Sequence, residues 1–88
     1  MELIINRCWG GAKLSKEAAD DLGVDQYDFD RDDYRVIRRV KEDVNASGGR
    51  TSKLKVIEIP DECTDYMIKD YDGMETVIYV LNGKLYEV

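Results

Sequence analysis

The chain has 88 residues, with 13 basic and 19 acidic side chains, a net charge of −6 and no histidine. A chain of this length forms one small domain over residues 1–88 with a single modest core, and 43% hydrophobic with 36% charged residues suits a folded domain rather than a disordered tail. Without histidine, Ser-His-Asp and Cys-His catalysis, histidine-ligated metals and a histidine pH switch are excluded, and the only two cysteines, Cys8 and Cys63, cannot complete a four-ligand zinc site.

Glu2 to Arg7 reads as a short strand with a buried centre, broken at once by Cys8-Trp9-Gly10-Gly11. Ser15 is a good N-cap for a helix over Lys16 to Leu22, and Gly23 supplies its stop. An aspartate-rich connector, Val24 to Phe29, leads to a second helix. There Asp30 stands as N-cap, Asp33 at N3, and Phe29 and Tyr34 where a hydrophobic staple would place them. Val36, Ile37, Val40 and Val44 share one face of that helix, and Ser47-Gly48-Gly49 ends it.

From Lys53 onward the pattern changes to short strands. Leu54 to Ile59 is a strand ended by Pro60, and Tyr66 to Asp70 is a second, followed by the turn Tyr71-Asp72-Gly73. Thr76 to Leu81, Asn82-Gly83 and Lys84 to Val88 form a hairpin, since Asn-Gly favours a type I′ turn. Pairing across it puts Val77, Tyr79, Leu81, Tyr86 and Val88 on one face and Ile78, Val80 and Leu85 on the other. With both faces apolar, helices are expected to cover one and a second subunit the other. The fold expected is α+β: one N-terminal strand, two helices, then a three- to four-stranded, mostly antiparallel sheet ending in the Asn-Gly hairpin.

The longest apolar run near the start, Leu3-Ile4-Ile5, stops at Asn6 and Arg7, and no stretch reaches the roughly 18 apolar residues of a membrane span. Two thiols without an export signal are expected to stay reduced, which places the chain in the cytoplasm and away from membranes.

Charge is segregated. Residues 1–33 carry 4 basic and 9 acidic side chains, residues 34–55 carry 7 and 2, and residues 56–88 carry 2 and 8. The basic middle is either a solvated helix face paired to nearby aspartates or an anion site of Arg38, Arg39 and Arg50 beside the Gly48-Gly49 amides. The acidic excess disfavours direct nucleic-acid binding. Asp28, Asp30 and Asp32 alternate as in a calcium loop, but Asp33 stands at the required glycine and Arg39 at the required glutamate, so no metal is expected. Clustered carboxylates can also imitate a phosphate backbone for a basic enzyme groove.

Cys8 follows a strand and precedes two glycines, where it is either a structural thiol or a nucleophile without a histidine to activate it. Gly10 to Ser15 lacks the Gly-Lys-Ser/Thr order of a phosphate loop, yet a strand, a glycine turn and a helix start can cradle an anion. Trp9 is either core or an exposed anchor.

Ile5-Asn6-Arg7-Cys8-Trp9-Gly10-Gly11 followed by Leu14-Ser15 resembles the opening of a family of small proteins of bacteriophages and prophages, mainly of Gram-positive hosts. The resemblance continues through Arg31-Asp32-Asp33, Ala46 to Arg50, Leu54 to Asp61 and Tyr71 to Glu75, while Ala12-Lys13 and the final hairpin depart from the family pattern. It implies a phage setting rather than a reaction. In that setting the expected function is a non-enzymatic host-takeover or anti-defence factor that sequesters a small anionic, nucleotide-like signal. The expected ligand-binding residues are Asn6, Cys8, Trp9, Gly10, Gly11, Arg31, Arg50, Tyr71 and Asp72, glycine and polar positions of separate loops that a shared pocket would explain. The alternative is an acidic protein inhibitor that binds and blocks a host defence enzyme or nuclease. No catalytic residue and no cofactor are expected, Asp32 and Asp72 being the only carboxylates with a case for acid–base work. The doubly apolar hairpin favours a homodimer.

Overall fold

Leu3-Ile4-Ile5 shows no polar alternation, and burial on both sides accounts for it: all three side chains are fully buried, facing opposite ways in turn. The computed structural model describes residues 1–88. In it, β1 (Glu2–Asn6) pairs antiparallel with β2 (Leu54–Glu58), with Glu2 opposite Glu58 and Asn6 opposite Leu54. Between them run α1 (Lys16–Leu22) and α2 (Tyr34–Glu42). A second antiparallel sheet follows, β3 (Asp65–Tyr71), β4 (Met74–Leu81) and β5 (Lys84–Glu87), in sequential order.

The chain is therefore α+β, as its pattern of elements predicts, in three layers. Ile4 and Leu54 point toward the helices and pack with Leu14, Ala18, Phe29, Val36 and Ile37. Leu3 and Ile5 point the other way and meet Ile59 and Val77. The central ribbon thus separates two small hydrophobic clusters within a body measuring 41 × 26 × 19 Å. No helix is long and apolar enough to cross a membrane.

Local signals place several boundaries. The Ser15 side chain accepts the Ala18 amide at 3.1 Å, and Gly23 closes α1 in the left-handed region. Asn82 and Gly83 both take positive φ, 53° and 78°, as a type I′ turn requires, and Asp72 and Gly73 do the same at 53° and 84°.

Four expectations are corrected. The N-cap of α2 is Asp33, not Asp30, because residues 30–33 form a tight turn that holds Arg31 against β1, where its carbonyl accepts the Ile4 amide at 2.8 Å. No staple forms: Phe29 enters the core beneath the Arg31 guanidinium, 5.3 Å from its ring centre, while Tyr34 is exposed. The far end of α2 stops at Glu42, where the Asp43 carboxylate takes the Asn45 amide at 2.8 Å and ends the helix, leaving Val44 96% exposed. Finally, β1 and β2, not the helices, cover the inner face of the hairpin, with Val77 buried against Leu3 and Ile5.

Both carboxylates that bound α2 are held below the usual carboxylate range. Asp33 is lowered by the Arg35 guanidinium at 3.0 Å and then by the Arg35 amide, and Asp43 by the Asn45 amide and then by Arg39. A carboxylate whose folded pKa lies below its unfolded value stabilises the fold above the unfolded pKa and loses that contribution as pH falls through the folded one. The contribution of these two carboxylates should therefore be complete above about pH 5 and fall away below about pH 4. Asp33→Asn, which can still cap, should lose less stability between pH 5 and pH 3 than the parent. Asp33→Ala should cost about 1 kcal/mol at neutral pH. Urea denaturation at each pH measures both.

Candidate functional site

Asn6 is the last residue of β1, and its side chain turns inward. Its Nδ2 donates to the carbonyls of Cys8 and Gly73, each at 2.6 Å, and its Oδ1 accepts the Lys53 amide at 2.8 Å. One amide thus ties the loop after β1 to the residue before β2 and to the β3–β4 turn. A side chain with two donors and a carbonyl acceptor on one short stem is needed here, since the three partners are two acceptors and a donor.

The neighbouring Asn6 amide donates to Glu75 Oε1 at 2.8 Å. Glu75 also receives Arg31 in a two-pronged ion pair, Nη1 to Oε1 at 2.5 Å and Nη2 to Oε2 at 2.8 Å, while Nη1 reaches the Ile4 carbonyl at 3.1 Å. The Glu75 side chain is only 6% exposed, so the charge is compensated almost out of water. Arg7 adds a 3.3 Å bond to the Glu75 carbonyl. No buried side-chain nitrogen or oxygen is left without a partner.

The loop from Cys8 to Gly11 is clamped from two further sides. Gly10 donates to the Thr51 carbonyl at 2.7 Å, and a Cβ at Gly10 would lie 2.0 Å from Thr51 Cβ. Gly73 packs so tightly on the loop that a Cβ would sit 2.4 Å from the Trp9 carbonyl oxygen and the Gly11 nitrogen. The Cys8 thiol, half-buried and unbridged, faces the Arg50 carbonyl at 3.7 Å.

Nearly all of the residues singled out from the sequence are thus brought together. Asn6, Cys8, Trp9, Gly10, Gly11, Tyr71 and Asp72 lie on one junction of loops, with Arg31 beneath it and Arg50 beside it. Their roles divide sharply, however. Asn6 and Arg31 direct their polar groups into the protein, whereas Trp9 is 68% exposed, Tyr71 77% exposed, and Asp72 and Arg50 face solvent. Glu75 is the residue that sequence reasoning missed. Its signal was an acid at an inward-facing position of β4, in step with Val77 and Tyr79.

The basic segment does not assemble into an anion site. Arg38 pairs with Glu42 at 3.1 Å, Arg39 with Asp21 at 2.9 Å and Asp43 at 3.1 Å, and the Gly48 and Gly49 amides donate to Lys13 and Ser47 carbonyls. Paired guanidiniums on a solvated helix face are the plainer alternative left open above. In the aspartate-rich stretch, Asp25 closes a turn by accepting the Tyr27 amide at 2.8 Å, Asp33 caps α2, and no three His, Cys, Asp or Glu groups converge as metal ligands.

Four surface depressions exist, and none is lined by Cys8, Trp9, Gly10, Gly11 or Arg50. The one bordering the junction, beside Arg7, Tyr71 and Met74, holds about 180 Å³. Pockets that enclose small organic ligands usually hold about 300–1,000 Å³. No family model matches the chain, and no curated protein or solved structure matches it.

Proposed function

We propose that this chain is a non-enzymatic binding protein that docks onto another protein through Trp9, Tyr71 and Met74, and that its target is a host defence enzyme or nuclease with a basic surface. One observation carries this: the polar groups of the Asn6–Arg31–Glu75 network all bond within the chain, while the aromatic residues of the same junction project outward. A small anion needs convergent donors that are free. A protein partner needs large, rigid apolar anchors with a polar surround, and aromatic side chains on a fixed platform meet that need at low entropic cost. Arg7 and Lys69 line the depression beside Tyr71 and Met74, so it is the chain's overall net charge of −6, not the anchor itself, that favours a basic partner.

The binding of a nucleotide-like signal, favoured from the pattern of residues alone, now has less support, since Asn6 and Arg31 are engaged and the adjoining depression is small. The phage setting and a site of action in the host cytoplasm are part of this proposal, and the family resemblance is what supports them.

Trp9→Ala and Tyr71→Ala remove exposed side chains, so each should change folding stability by less than about 0.5 kcal/mol. Immobilised wild-type protein should retain a specific host protein from bacterial lysate that neither variant retains. Calorimetric titration with a panel of cyclic nucleotides should give no heat. Nucleotide binding abolished by Arg50→Ala, with no difference in protein capture between wild type and Trp9→Ala, would reverse the assignment.

A further inference from the structure

The inner face of the β3–β4–β5 sheet rests on β1 and β2, but its outer face rests on nothing. The register places Asp65, Met67, Lys69 and Tyr71 of β3, Met74, Thr76, Ile78 and Val80 of β4, and Leu85 of β5 on that outer side. Met67 is 58% and Leu85 72% exposed. An antiparallel sheet with one wet face ordinarily alternates polar and apolar residues. Val77-Ile78-Tyr79-Val80-Leu81 does not alternate, so the outer positions are built for a dry environment.

We propose that this outer face is the contact surface of a reversible homodimer, with β3 of one copy lying antiparallel across β3 of the other. Charge selects a second copy as the occupant. On β3, Asp65 and Lys69 stand on either side of Met67, and the face runs on beyond Lys69 to Tyr71 and Met74. A two-fold axis at Met67 sets Asp65 of each copy against Lys69 of its mate, an isologous match made by one patch alone. The remaining charge, Glu87, accepts the Thr76 hydroxyl at 2.8 Å at the edge of the face. The chain carries a net charge of −6, yet this face is close to neutral, which suits a copy of itself better than a strongly charged partner.

The extent of the face sets the strength. Three strands spaced about 4.8 Å apart and about 20 Å long present roughly 300 Å² of flat sheet per copy. A standard interface buries about 800 Å² per partner, so the dimer forms and dissociates with concentration. Tyr71 and Met74 lie at one end of this same outer side, so the two proposals meet there, and Leu85→Asp, at the opposite end beside Val80 and Asp65, tests the dimer apart from the docking proposed above.

Sedimentation velocity of the full chain from 10 µM to 1 mM tests it. The mass should rise from that of one copy toward two. Leu85→Asp and Lys69→Asp should each weaken association at least tenfold, and Asp65→Lys combined with Lys69→Asp should restore it. Circular dichroism checks that each variant folds. In the unaltered protein, the Met67 methyl resonance should shift with concentration while that of Met1 stays fixed. The mass of one copy throughout, association unaffected by Leu85→Asp and Lys69→Asp, or a stationary Met67 methyl would overturn the proposal.

Discussion

Replacing Glu75 with alanine is expected to lower the unfolding free energy by about 3–5 kcal/mol, the usual cost of removing one partner of a buried ion pair. A domain of 88 residues has roughly 4–13 kcal/mol in total, so this one change brings the chain near the limit of folding. The loss has three parts. Arg31 keeps its charge without a counterion, the Asn6 amide loses its acceptor, and the link between β4 and the end of β1 is cut. Truncation of either member leaves the other uncompensated, so Arg31→Ala should destabilise comparably. The joint change Arg31→Met with Glu75→Leu should recover much of the loss, because two apolar groups of similar size leave no stranded charge. Urea denaturation at pH 7 of Arg31→Met, Glu75→Leu and the variant carrying both measures the coupling, and simple additivity would contradict it.

Two glycines in identical turn positions should respond very differently to the same substitution. Gly83 has φ +78° and open space around its missing Cβ, so Gly83→Ala pays only for the left-handed backbone, about 1 kcal/mol. Gly73 has φ +84° and in addition abuts the backbone of Trp9 and Gly11. Backbone atoms cannot rotate away as a side-chain tip can, so Gly73→Ala must lift the β3–β4 turn off the loop. The expected cost is about 3 kcal/mol or more, since the Asn6 bond to the Gly73 carbonyl goes with it. Trp9 is the only tryptophan, so its fluorescence reports the loop directly. Gly73→Ala should change that emission in the folded protein, and Gly83→Ala should leave it unaltered.

How much of this was legible beforehand depends on how local each cause is. Ser15, Gly23 and Asn82-Gly83 act within a few residues, and the first helix and the last hairpin follow from them. The start of α2 did not, because Asp30 is as good a cap as Asp33 until the turn that carries Arg31 to Glu75, 44 positions away, is known. The pairing of β2 with β1 instead of with the later strands is likewise a long-range choice, made by Leu3, Ile4 and Ile5 needing cover on both sides. At the junction of loops, the residue list was readable as a pattern of glycines, Asn6, Arg31 and Tyr71-Asp72. Which of them point inward was not, since that depends on Glu75, a carboxylate that looks solvent-exposed until β4 is placed.

Backbone amide hydrogen exchange tests most directly whether the junction is a rigid platform with its polar groups turned inward. The Asn6, Gly10 and Lys53 amides, bonded to Glu75, Thr51 and the Asn6 side chain, should exchange only through global unfolding, at rates near those of the β1–β2 ladder. Exchange at those three sites at the pace of an open loop, while the ladder stays protected, would contradict the account.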